Sequence, residues 1–113
     1  MTRESRIYKE HLAMVVLSVL KARSMYGYEL AQEVKRRSAG LLELQEGVMY
    51  PTLHRLVKEG WLKSEWGDSD SGPRRRYYRL TGKGRKAQDK MVIEWREFSG
   101  VIDQLVGAKL CLA

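Results

Sequence analysis

Arg74, Arg75 and Arg76 stand in a row, Arg79 follows, and between positions 74 and 90 eight residues are basic against the single acid Asp89. So one-sided a run neutralises phosphates and releases their counterions, the chemistry of nucleic-acid backbones, whose affinity falls steeply with salt. A second group lies upstream in EGVMYPTLHRLVKEGWL, residues 46–62. There Arg55 could take a guanine edge or a phosphate, His54 and Thr52 can hydrogen-bond, Lys58 is basic, and Tyr50 can donate its hydroxyl to a phosphate. Gly47 would let a phosphate approach closely, and Pro51 would fix the first helical turn and carry Tyr50 on a preset backbone. The candidate DNA contacts are therefore Gly47, Tyr50, Pro51, Thr52, His54, Arg55, Lys58, Arg74, Arg75 and Arg76. Which of the helical ones reads bases stays open.

Other chemistries find little to work with. The sequence has no nucleophile elbow and no phosphate-cradling glycine loop, and its carboxylates are scattered, so no catalytic residues and no enzyme are expected. The lone Cys111 cannot close an intrachain disulfide, and with His11 and His54 far away no zinc spacing exists; no metal or cofactor is expected. The net charge of +7 favours an anionic partner, nucleic acid or an acidic membrane surface. No stretch approaches the roughly 20 apolar residues that span a bilayer, and no signal-peptide core follows the first residues, so a cytoplasmic protein is expected.

A chain of 113 residues suits a single core. Residues 7–22 carry Leu12, Val15, Val16, Val19 and Leu20 at helical spacing, and 26–38 set Leu30, Ala31 and Val34 inward while Glu33, Lys35, Arg36 and Arg37 face water. LLELQ, residues 41–45, is too short for a helix and reads as a one-sided strand. Val48, Met49, Leu53, Leu56 and Val57 predict a third helix over 48–59, stopped by Gly60 as a C-cap residue. Started at about Val48, it places Pro51 near the end of the first turn, where a missing N–H costs little.

Residues 61–66 and 74–80 have the aromatic, alternating character of strands, joined by the turn formers GDSDSGP. Leu62, Ser64 and Trp66 fall on one face and Tyr78 and Leu80 share another strand's face, with Leu62 and Leu80 pointing inward. Thr81 serves as N-cap of a long helix running to about Lys109. In it Met91, Trp95, Phe98, Ile102 and Leu105 step by four, three, four and three, and Val92, Val101 and Val106 widen the seam. One small domain cannot cover such a helix, which predicts a two-fold homodimer. Gly100 and Gly107 predict a bend or fraying near its end or, equally, a close approach of helices. The fold class is mainly α with a small β-hairpin (α+β): a winged helix-turn-helix over 1–81 and a dimerisation helix over 82–113. In that layout the third helix enters the major groove and the hairpin touches the backbone.

The runs Tyr26-Gly27-Tyr28-Glu29-Leu30, Gly47 to Leu56, Glu59-Gly60-Trp61-Leu62 and Arg75 to Thr81, with Gly84, resemble the PadR family of bacterial transcriptional regulators over residues 10–90. The resemblance implies a winged-helix DNA-binding domain, a C-terminal dimerisation helix, and repression released by a small molecule. A single terminal helix is similar to the short subgroup that includes multidrug-responsive repressors. In that subgroup a tryptophan in the place of Trp95 helps line a flat hydrophobic pocket at the dimer centre, which makes Trp95, Met91 and Phe98 the candidate contacts of a planar effector, with core packing as the equal alternative. The family commonly has Thr-Leu where this chain has Val48-Met49, so a threonine hydroxyl contact at 48 is not carried over.

The expected function is a dimeric regulator that binds an inverted repeat in double-stranded DNA, most simply a repressor released by a hydrophobic or aromatic effector. The alternative is a winged-helix module that binds protein or RNA without an effector. An acidic outer face on the third helix would favour that alternative; it is basic or neutral from Thr52 to Lys58.

Overall fold

The computed structural model describes residues 3–67 and 72–107. Apolar residues at helical spacing build α1 (Arg3–Leu20), which buries Leu12, Val16, Leu17, Val19 and Leu20, and α2 (Gly27–Arg37), which buries Leu30 and Val34. They pack with Met49, Leu53 and Leu56 of α3 (Glu46–Lys58) around one core. Four helices and a three-stranded antiparallel sheet bear out the α+β expectation. The sheet joins β1 (Met25–Tyr26), β2 (Leu62–Gly67) and β3 (Arg75–Leu80) in the order β1-β3-β2. Register pairs Leu62 with Leu80, Ser64 with Tyr78 and Trp66 with Arg76. Leu62 points inward as expected, Leu80 is half-buried against the core and its face-mate Tyr78 is buried, whereas Trp66 is 55% exposed. Part of the connecting loop lies outside the described residues.

Two expectations are corrected. LLELQ forms no strand: the edge of β3 that is left free by β2 is taken by Met25–Tyr26, where Met25 pairs with Tyr78 and Tyr26 with Tyr77. A two-residue strand has too little alternation to be read in advance. The third helix also begins at Glu46, two residues before the predicted start, with the Gln45 carbonyl accepting from the N–H groups of Val48 (3.0 Å) and Met49 (2.8 Å). Pro51 therefore lies in the second turn. Its missing N–H removes an interior bond, the one the Gly47 carbonyl would accept, so the proline is not as free of cost as its expected place would make it.

Gly60, at φ 79°, ends α3 as predicted: its N–H donates to the Val57 carbonyl and that of Trp61 to Leu56. The same turn anchors α4 (Gly82–Val106). Thr81 caps it by accepting from the Gly84 N–H at 2.9 Å, while its own hydroxyl donates to the Gly60 carbonyl at 2.7 Å. Gly84 is buried there, and a Cβ on it would run into the Trp61 carbonyl. The end of α3 and the start of α4 are thus tied together at one junction. α4 stops at Gly107, φ 67°, short of the predicted Lys109, which with Cys111 lies outside the described residues.

α4 runs antiparallel to α1, with Gln88 facing Ser18 and Trp95 facing His11. Gln88 is buried; its Nε2 donates to Ser18 Oγ at 3.1 Å, but its Oε1 has no partner among the described residues. An orphaned buried acceptor costs about 1–3 kcal/mol, whereas removing both partners is nearly neutral or stabilising. The pair Gln88→Met with Ser18→Ala is expected to raise the unfolding free energy by about 1 kcal/mol in urea titrations, and Ser18→Ala alone to lower it. Beyond that contact α4 outruns the core: the radius of gyration is 15.8 Å, against about 13 Å for a compact chain of this size.

Candidate nucleic-acid interface

Since α3 turns Met49, Leu53 and Leu56 inward, its helical period sends Gly47, Pro51, His54, Arg55 and Lys58 outward along one ridge, all of them exposed. Among the described residues no hydrogen bond or ion pair holds the side chains of His54, Arg55 or Lys58. Thr52 sits on the flank, half-buried, and its hydroxyl donates to the Val48 carbonyl at 2.8 Å, which leaves it as an acceptor only. Space around Gly47 is open: nothing lies within 4 Å of where a Cβ would stand.

Tyr50 leaves this ridge and turns toward the wing. Its hydroxyl packs on Gly27, the first residue of α2, so closely that a Cβ there would collide with it. Beneath it lies the buried Tyr78, whose hydroxyl pKa is raised by burial, offset by the Arg76 charge and raised further by Tyr50. α3, the start of α2 and β3 therefore converge, and Tyr50 joins the ridge to the wing.

Arg74, Arg75 and Arg76 each lie against an aromatic ring. Arg74 and Arg76 approach Trp66 with guanidinium carbons 5.8 and 5.3 Å from the ring centre, and Arg75 approaches Tyr26 at 4.5 Å. Arg79, part of the same basic run, is paired with Glu65 at 3.2 Å. On α2, Arg36 and Arg37 both bond Glu33, holding its carboxyl down to about 2. Glu33 and Glu65 thus offset part of the charge of these arginines, whereas among the described residues Arg55 and Lys58 of α3 form no ion pair.

Between them α1 and α4 enclose a groove of about 310 Å³ that brings together Met91, Trp95 and Phe98 with His11 and Met14. The Trp95 and His11 rings meet edge to face with centres 4.9 Å apart. Sequence reasoning missed His11, Met14, Trp66 and Tyr26. The helical spacing of 11 and 14 was a usable signal, but the register of α1 against α4 was not in the sequence. The seam itself faces out: Phe98 is 58% and Leu105 76% exposed, with Val101, Ile102 and Val106 beside them. Among the described residues no three metal-ligating side chains cluster, and no helix is long and apolar enough to cross a membrane.

Residues 16–90 match the family described as Transcriptional regulator PadR-like family. An uncharacterised protein of Lysinibacillus sphaericus is 32% identical over 99 residues, covering 88% of this chain and 91% of the relative. Among solved structures, a transcriptional regulator from Clostridium thermocellum superimposes with a TM-score of 0.82 at 30% identity, covering 89% of this chain and 98% of that one. A PadR-like transcriptional regulator from Bacillus cereus does so with a TM-score of 0.77 at 27% identity, covering 92% and 99%.

Proposed function

The chain belongs to the PadR-like family of transcriptional regulators, which act by binding DNA and are not enzymes, and from that premise we propose that it works as a homodimer on an inverted-repeat operator and represses until a small planar molecule releases it. The observation that carries this reading is the outward ridge of α3, together with the ring-backed arginines of the wing and the uncovered apolar face of α4. Two copies joined along α4 would present two α3 ridges about one DNA turn apart. In this reading Arg55, His54 and Lys58 face the major groove, Gly47 and Pro51 form its leading edge, Tyr50 and Thr52 flank it, and Arg74, Arg75 and Arg76 take phosphates.

Titrating salt against binding to a selected operator and to a scrambled duplex tests the reading. A regulator binds the operator far more tightly, with a steep salt slope for both; equal affinity for the two sinks specific regulation. Gly47 supplies a sharper check. It lies inside a helix with open space around it, so Gly47→Ala is expected to stabilise the fold by up to about 1 kcal/mol. If DNA approaches there, the same change weakens duplex binding, and calorimetry beside anisotropy will show the two effects moving in opposite directions.

The groove of about 310 Å³ is at the small end for a ligand site, as half of a shared one would be. Trp95 and Phe98 offer faces on which a flat aromatic can stack, and Met91 and Met14 adapt to its outline. A panel of planar aromatic dyes followed by tryptophan fluorescence reads this part; no saturable change with any of them would remove the effector from the account.

A further inference from the structure

Trp66 is large and more than half exposed at the outer end of β2, where it adds little to the core. Directly across the ladder is Arg76, which also donates to Ser64 Oγ at 3.0 Å, and Arg74 stands against the same indole. Two like charges are thus held beside one ring, and the negative face of the indole offsets part of their repulsion. On the other face Tyr26 does the same for Arg75, and Tyr26 is itself braced edge-on by Tyr77 at 5.5 Å. Arginine side chains have many rotamers, and the freedom they lose when a phosphate fixes them weakens binding. A ring that has already fixed them reduces that loss.

We infer that Trp66 is a positioning residue for DNA binding, pre-ordering Arg74 and Arg76 at the wing tip so that they meet phosphates in place. The inference rests on the DNA-binding reading of the wing. Trp66 acts through the two arginines and need not touch DNA, and it alters neither the number of cations nor the counterions they release.

The test is binding of the purified full chain to a random-sequence DNA duplex, with thermal unfolding recorded for every variant. Trp66→Ala is expected to weaken binding about five- to tenfold with an unchanged salt slope. Trp66→Phe, which keeps a π face, is expected to recover most of the loss, and Trp66→Leu, which keeps apolar bulk alone, is not. In an Arg74→Ala, Arg76→Ala background, Trp66→Ala should add nothing. An equal loss in both backgrounds would mean that Trp66 contacts DNA itself, and would overturn the inference. No loss in the wild-type background, or full recovery by leucine, overturns it as well. If Trp66→Ala unfolds, the phenylalanine and leucine variants carry the same comparison. A wild-type chain that ignores the duplex would overturn the DNA reading of the wing, a result distinct from a duplex that wild type and Trp66→Ala bind equally.

Discussion

Replacing Phe98 and Ile102 together by glutamate is expected to leave a folded monomer whose affinity for an inverted-repeat duplex is lower by about 10²- to 10⁴-fold. Both side chains are exposed within the single chain, so charging them removes little that folds it; surface changes of this kind stay within about 0.5 kcal/mol per site. In a dimer the same positions lie on the seam that runs from Met91 to Leu105, and two pairs of carboxylates would face each other across a dry two-fold contact. Losing the dimer loses the second half-site, and with it the gain from tethering two readers to one duplex. Sedimentation will read the assembly and anisotropy the affinity. A variant that stays dimeric would place the interface elsewhere, and one that is monomeric but binds as tightly as wild type would show that dimerisation does not matter for recognition.

Arg55→Ala and Arg75→Ala are expected to separate reading from gripping. Arg55 stands on the outer ridge of α3 with no partner for its side chain among the described residues. A bidentate contact from such a position to a guanine edge discriminates by about 1–3 kcal/mol, so its loss should lower operator affinity by about 10- to 100-fold while hardly changing binding to scrambled DNA. Arg75 is held against Tyr26 at the wing. Its loss should weaken both duplexes alike and reduce the salt slope by about one. Equal effects of Arg55→Ala on the two duplexes would reassign it to the backbone.

Much of this was legible in the sequence, and the failures have identifiable causes. The helices α1, α2 and α4 follow from apolar spacing, and Gly60 and Thr81 act as the caps their types suggest, because these are local effects. The start of α3 was misplaced because Gly47 and Pro51 are poor helix formers, and the prolonged helix depends on Met49 and Leu53 being seated in the core. β1 was invisible because its partner, Tyr77 to Tyr78, is some fifty residues away and two residues show no period. At the candidate site, residue type and spacing identified the outward face of α3 and the arginine run. They could not show that Tyr50 turns onto Gly27, that the Thr52 hydroxyl hydrogen goes to the Val48 carbonyl, or that each wing arginine has a ring beside it. Those facts depend on the register of β2 on β3 and on how α2 meets α3, which are tertiary.

The most direct measurement is selection of bound duplexes from a random pool by the purified chain, followed by sequencing and by comparing the selected duplex with its scramble. The account predicts enrichment of an inverted repeat whose half-sites are centred about 10 base pairs apart, bound at least about 10³-fold more tightly than the scramble at physiological salt. A pool that emerges unenriched, with selected and scrambled duplexes bound equally, would contradict it.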